Sequence, residues 1–212
     1  MKLKIEFAVA GVILGTLSSI LLISPITGIA DNGDFARIMN STGLYYLSDV
    51  HTDRYFGYVN RLYGMGSIIP MGGGYLSTGI PLVLLAVNIC KSLSSIGLIF
   101  FDIRFLATIY IIVLSASLYL ISKGIRILSG IFAFGCSLLA VIIFCDTGYT
   151  AYFNSLYGEP VTFVFLLLMA GAALIMANTA RPALWMLIVF CTGALFFAGA
   201  KVQNSPAGIL AA

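Results

Sequence analysis

Long apolar runs alternate with short polar breaks along this chain, and the runs have the length of membrane crossings. Five of them, residues 5–24, 103–122, 128–146, 161–178 and 182–200, come close to the ~20 residues that carry a helix through the hydrocarbon layer. Ser24-Pro25-Ile26 stops the first run, because proline cannot continue a helix. The stretch Ile80 to Phe101 is apolar at both ends but broken by Asn88, Lys91 and several serines, which suits a helix lying at the interface. The pattern predicts an all-α fold, a polytopic transmembrane bundle of about five spanning helices, or six if residues 80–101 also cross. Residues 1–212 read as a single transmembrane domain, with a long first loop over 30–101 that carries interfacial helices.

Basic residues orient this arrangement. With residues 80–101 on the surface, Lys2, Lys4, Lys123, Arg126 and Arg181 all fall on one side, which the positive-inside rule assigns to the cytoplasm. The N-terminus is then cytoplasmic, and loops 30–101 and 147–160 face the other way, together with the exit of the last helix at Lys201. Of the eight acidic residues, all but Glu6 collect on or beside that non-cytoplasmic face.

Composition agrees with a lipid-solvated chain: 60% of residues are hydrophobic and 9% charged, where a soluble protein carries roughly a quarter charged. Mean hydropathy is +1.06. The eleven Lys and Arg are scattered singly, so nothing here points to nucleic acid. Cys90, Cys136, Cys145 and Cys191 lack the paired spacing of a zinc site or disulfide framework and read as small apolar packing residues. The basic start followed by Phe7 to Ile23 has the form of a signal peptide, but no small-residue cleavage site follows; an uncleaved helix fits better.

Three polar constellations fall on the non-cytoplasmic face. Asp31-Asn32-Gly33-Asp34-Phe35-Ala36-Arg37 follows the first helix directly and sets two carboxylates and a guanidinium at the membrane boundary, where charge is costly. Either carboxylate also fits an N-cap for an interfacial helix beginning at Phe35, Asp31 more readily than Asp34. Asp34 is the stronger candidate for chemistry, ahead of Asp31. The connection Asp146 to Pro160 holds Asn154, Tyr157 and Glu159, suited to binding a polar substrate, although Glu159 before Pro160 also fits a helix start. Lys201 runs against the charge trend, so a bound phosphate or a carboxylate partner is expected for it. Gln203 and Asn204 follow it with amides suited to sugar hydroxyls. Met71-Gly72-Gly73-Gly74-Tyr75 reads as a hinge, since it lacks the lysine of a phosphate-binding loop.

This arrangement resembles the N-terminal module of the GT-C superfamily of membrane glycosyltransferases, which take sugars from polyprenyl-phosphate donors. The resemblance rests on topology across nearly the whole chain: one helix, a large external first loop with an acidic residue soon after that helix, and a second acidic loop further on. It implies transfer of a sugar on the non-cytoplasmic face to a glycan, lipid or protein acceptor in cell-envelope assembly, within a bacterial plasma membrane. It implies Asp34, or Asp31, as the base. Lys201 and Arg37 would meet the donor phosphate, and a divalent cation, magnesium or manganese, would have Asp146 or Glu159 as ligands. Two features depart from the superfamily. No Asp-x-Asp or Asp-Glu pair stands in the second loop, and the chain is short for a complete member, which reads as the N-terminal part of a longer one. Other classes remain open: a small transporter or flippase, which calls for charges at midplane that the spans lack, or a noncatalytic membrane subunit.

Overall fold

The computed structural model describes residues 5–55, 59–66, 76–93, 100–128 and 130–206. The first helix, α1, runs Ile5–Leu21. The first loop then folds into α2 (Phe35–Thr42), strand β1 (Leu44–Tyr45), α3 (His51–Tyr55), β2 (Leu62–Met65), α4 (Gly79–Leu93) and β3 (Phe100–Asp102). Five further α-helices follow: α5 (Arg104–Gly124), α6 (Gly130–Phe144), α7 (Thr147–Thr150), α8 (Glu159–Ala177) and α9 (Leu184–Ala200). The Gly-rich hinge at 71–75 lies outside the described residues.

Among the described residues, length and composition qualify two helices to cross a membrane, Arg104–Ile127 and Glu159–Ala177, and a third if α6 and the segment Thr147–Asn154, bent by 50°, count as one span. This is fewer than the five expected. At 17 residues each, α1 and α9 are apolar but reach only ~25 Å at ~1.5 Å per residue, short of a ~30 Å hydrocarbon core. The bend after α6 has a local cause: the Asp146 carboxylate accepts from the Gly148 N–H at 2.7 Å and starts a new helix there.

Cross-links between helix ends fix their directions. Arg126 Nη1 donates to Glu6 Oε1 at 3.0 Å, and Asn178 Nδ2 donates to the Gly124 carbonyl at 3.0 Å, so the start of α1 and the ends of α5 and α8 share one end of the bundle. At the other end Arg104 Nη1 donates to the Leu22 carbonyl, Ser77 Oγ donates to the Ala200 carbonyl, and Lys201 pairs with Glu159. Helices α1 and α9 therefore run one way, and α5 and α8 the other, with α5 and α8 parallel neighbours. Lys123, Arg126 and Arg181 gather at the Glu6 end, and the other acidic residues belong to segments at or beyond the opposite end.

Small residues let these helices approach closely, which is how apolar helices gain packing energy when lipid offers no hydrophobic drive. A Cβ at Gly171 of α8 would lie 2.8 Å from Leu120 Cβ of α5, and one at Gly193 of α9 would lie 2.9 Å from the Met169 backbone nitrogen of α8. Ser117 Oγ bridges α5 to the Val164 carbonyl of α8 at 3.1 Å, and the Phe165 and Phe196 rings stack at 4.5 Å between α8 and α9. By contrast, α6 buries only Ala133 and Ser137, and most of its large apolar side chains, among them Ile131, Phe132, Phe134 and Leu139, point outward, while Val141 and Phe144 pack against the core.

The first loop corrects the all-α expectation. β1, β2 and β3 form a three-stranded antiparallel sheet in that order, with Tyr45 opposite Gly64 and Tyr63 opposite Phe101. Tyr63 and Phe101 are fully buried and form the sheet's inner face, with Tyr46 packed beside Tyr63. Of the surface helix expected over 80–101, α4 covers Gly79–Leu93, residues 94–99 lie outside the described residues, and 100–102 are strand instead. Asp102, at the end of β3, receives Arg61 Nε at 3.0 Å and Arg104 Nη2 at 2.7 Å, joining the sheet to the start of α5. Burial opposes ionisation of Asp102, but the two guanidiniums and the Arg104 N–H outweigh it and hold its carboxyl below the usual range.

Candidate functional site

The first polar constellation is set by a buried carboxylate. Asp31 is 4% exposed, and its Oδ1 accepts the Gly33 and Phe35 N–H groups at 2.7 and 3.1 Å, closing the turn that leads into α2 and satisfying the first orphan donor of that helix. Gly33 completes this turn at φ 103°, a conformation that glycine adopts without steric cost. The other oxygen of Asp31 accepts from the Tyr46 hydroxyl. Burial, followed by that hydrogen bond and the Asp31 charge, pushes the Tyr46 phenol far above its ordinary range, so it stays a donor. The turn is gripped from its other side by Tyr157, whose hydroxyl accepts the Asn32 N–H at 2.9 Å and donates to the Ala30 carbonyl at 3.0 Å. Its ring meets Phe35 edge-on at 4.6 Å.

With the turn held this way, Asp34 and Arg37 face a cavity of about 250 Å³, paired to each other at 3.5 Å and both largely exposed. Leu156, Tyr157, Gly158 and Glu159 from the approach to α8 form a second wall. Lys201, Val202 and Gln203, just beyond α9, form a third. The close pass of the third wall over the second depends on Gly158, since a Cβ there would lie 3.2 Å from the Ala200 carbonyl and 3.3 Å from Lys201 Cε. Lys201 Nζ donates to Glu159 Oε1 across this junction. Burial raises the Tyr157 phenol above its usual value against the pull of the Asn32 N–H, and the carboxylates of Asp31, Asp34 and Glu159 add to the rise.

Six of the residues singled out by sequence thus line one cavity: Asp34, Arg37, Tyr157, Glu159, Lys201 and Gln203. Four do not. Asp31 stands behind the wall as a cap. Asn154 is buried, and its amide donates to the carbonyls of Leu21 and Thr27 at 2.9 and 2.7 Å, fastening the end of α1. Asn204 donates to Thr162 Oγ1 and the Phe197 carbonyl, holding the segment after α9 against α8. Asp146 caps α7 away from the cavity. The donor set does not fit a metal ion: Glu159 is engaged by Lys201, Asp146 is elsewhere, and no three His, Cys, Asp or Glu gather as ligands among the described residues. Sequence reasoning passed over Gly158 and the Asp102 network. Asp102 and Arg104, two apart where an apolar helix begins, were the signal for the latter.

A bundle of packed apolar helices with a charged cavity at one end defines an integral membrane protein. The model of the YfdI N-terminal transmembrane domain family matches residues 2–212, and the chain belongs to that family. No curated protein and no solved structure matches it.

Proposed function

We propose that the cavity is the donor and acceptor site of a GT-C-like glycosyltransferase module that uses a polyprenyl-phosphate sugar on the non-cytoplasmic side. One observation carries the reading: Asp34, Arg37, Glu159 and Lys201, drawn from three distant parts of the chain, border one cavity at one end of an apolar bundle. That cavity offers an exposed carboxylate for an acceptor hydroxyl and cations for a lipid phosphate. The excess of Lys123, Arg126 and Arg181 at the opposite end supports a cytoplasmic N-terminus and an outward cavity.

In this reading an acceptor hydroxyl attacks the anomeric carbon of the donor, and the bond from that carbon to the phosphate oxygen breaks. Asp34 takes the hydroxyl proton. Lys201 and Arg37 offset the charge that grows on the departing phosphate, and Gln203 at the cavity wall binds sugar hydroxyls, while the Tyr157 hydroxyl stays with Asn32 and Ala30.

The test is sugar transfer in membranes, or in nanodiscs holding the purified protein, from radiolabelled polyprenyl-phosphate hexoses. Asp34→Asn is expected to lower transfer by roughly 10²-fold or more, as for loss of a general base, while polyprenyl-phosphate binding persists. Full transfer by Asp34→Asn, or labelling of single cysteines beside Asp34 and Lys201 from opposite membrane faces, removes the reading.

A further inference from the structure

Resting on that reading, we infer that Glu159 is a built-in stand-in for the donor phosphate, holding Lys201 until an anion enters and exchanges with it. The charges around the cavity cancel: Asp34 is matched by Arg37, and Glu159 by Lys201. An anion entering such a site finds no spare cation and must take one from a carboxylate. The two pairs differ in how they would respond. Asp34 and Arg37 sit one helical turn apart at 3.5 Å with both side chains well exposed, so water already screens them, and the pair is worth little to make or break. Lys201 is only about a third exposed, half as much as Arg37, and is in direct contact with Glu159.

The geometry of Glu159 favours exchange. Oε1 accepts from Lys201, but Oε2 is shielded from solvent and has no hydrogen-bond partner among the described residues. A shielded carboxylate oxygen without a donor is unfavourable, so the resting pair is only half satisfied. Lys201 is held from beneath, because its stem runs over Gly158 with Cε and Cγ 3.3 and 3.4 Å from where a Cβ would stand. Glu159 is the partner that moves: it occupies the first turn of α8, and a rotation of its side chain alone takes the carboxylate away. Phosphate then inherits a cation that is already oriented. The freed carboxylate remains at the cavity wall as a second negative charge beside the incoming acceptor.

Exchange makes Glu159 a competitor of the donor, the reverse of a phosphate-binding role. The experiment measures binding of polyprenyl phosphate to the purified full chain in neutral-lipid nanodiscs, with neutral polyprenol as the blank. Glu159→Gln keeps the shape and removes the competing charge, and is expected to bind about tenfold more tightly, the scale set by one unit charge a few ångströms away at a partly solvated site. Lys201→Gln is expected to weaken binding by about tenfold or more. Asp49→Asn adds the same unit of net charge outside the cavity and is expected to change affinity less than about twofold. Each variant is checked for an unchanged circular dichroism melt.

If Glu159→Gln binds no more tightly than wild type while Lys201→Gln still loses binding, exchange is wrong and the glycosyltransferase reading stands. Equal tightening by Asp49→Asn also overturns exchange, since general charge then explains the gain. A Glu159→Gln chain that has lost its melt is replaced by Glu159→Asp, whose shortened reach to Lys201 is expected to tighten binding in the same direction, and weaker binding there overturns exchange. If polyprenyl phosphate binds no better than polyprenol, or independently of Lys201, the glycosyltransferase reading itself falls and takes exchange with it.

Discussion

Arg126 reaches across the bundle end to Glu6, its Nη1 3.0 Å from Oε1, and the two partners lie in unequal surroundings. Glu6 is 3% exposed, whereas the Arg126 side chain is about half exposed. Removing the arginine leaves a charge in an enclosed place; removing the glutamate leaves a cation that water can solvate. Arg126→Met is expected to destabilise the protein by about 1–3 kcal/mol, and Glu6→Leu by clearly less. Chemical unfolding in detergent measures both, and equal losses argue against this asymmetry.

The cap on α2 separates two roles that the sequence left joined. Asp31→Asn keeps an oxygen for the Gly33 and Phe35 N–H groups, so it should cost less than Asp31→Ala, for which the loss of a cap predicts about 1–2 kcal/mol. In a transfer assay Asp31→Asn should stay active while Asp34→Asn does not. The reverse order of activities would make Asp31 the base.

Helix contact through glycine is open to a direct check. Gly193→Leu must displace the Met169 backbone and is expected to cost about 1–3 kcal/mol or to lower folded yield outright. Gly11→Leu on α1, where nothing stands within 4 Å, should leave the thermal melt nearly unchanged.

Asp102 predicts a specific acid limb. Its folded pKa lies below the ordinary 3.8, so its ionised form stabilises the fold fully above about pH 4, and that contribution is lost as pH falls through the folded value. Stability followed below pH 4 should drop less steeply in Asp102→Asn, which has already lost the contact to Arg61 and Arg104. An unaltered acid limb in that variant assigns the drop to other carboxylates.

The sequence carried much of this molecule where the signal was local. Apolar runs located α5, α6, α8 and α9 to within a few residues, and the isolated charges Asp34, Glu159 and Lys201 stood out against them. Span length was less legible, because hydropathy does not mark where Asp146 caps a new helix or that α9 begins only at Leu184. The sheet was hidden for a different reason. Its strands are two to four residues long, and β2 meets partners distant in sequence, so no periodicity had room to develop. Asn154 and Asn204 misled because an amide facing a sugar and one facing a backbone carbonyl look alike in sequence.

The three walls of the cavity come from residues 34–37, 156–159 and 201–203, and no two of them are neighbours along the chain. Each wall is positioned by a different junction: the Asp31 cap, the Asn154 clasp on α1, and the Asn204 bond to α8. An anion that bridges the walls therefore binds only molecules in which α1 and α9 have both docked. Its binding free energy is added to the whole assembly by mass action. The site thus doubles as an assay of its own construction, and the rise in melting temperature with added ligand counts correctly assembled bundles in a mixed membrane preparation.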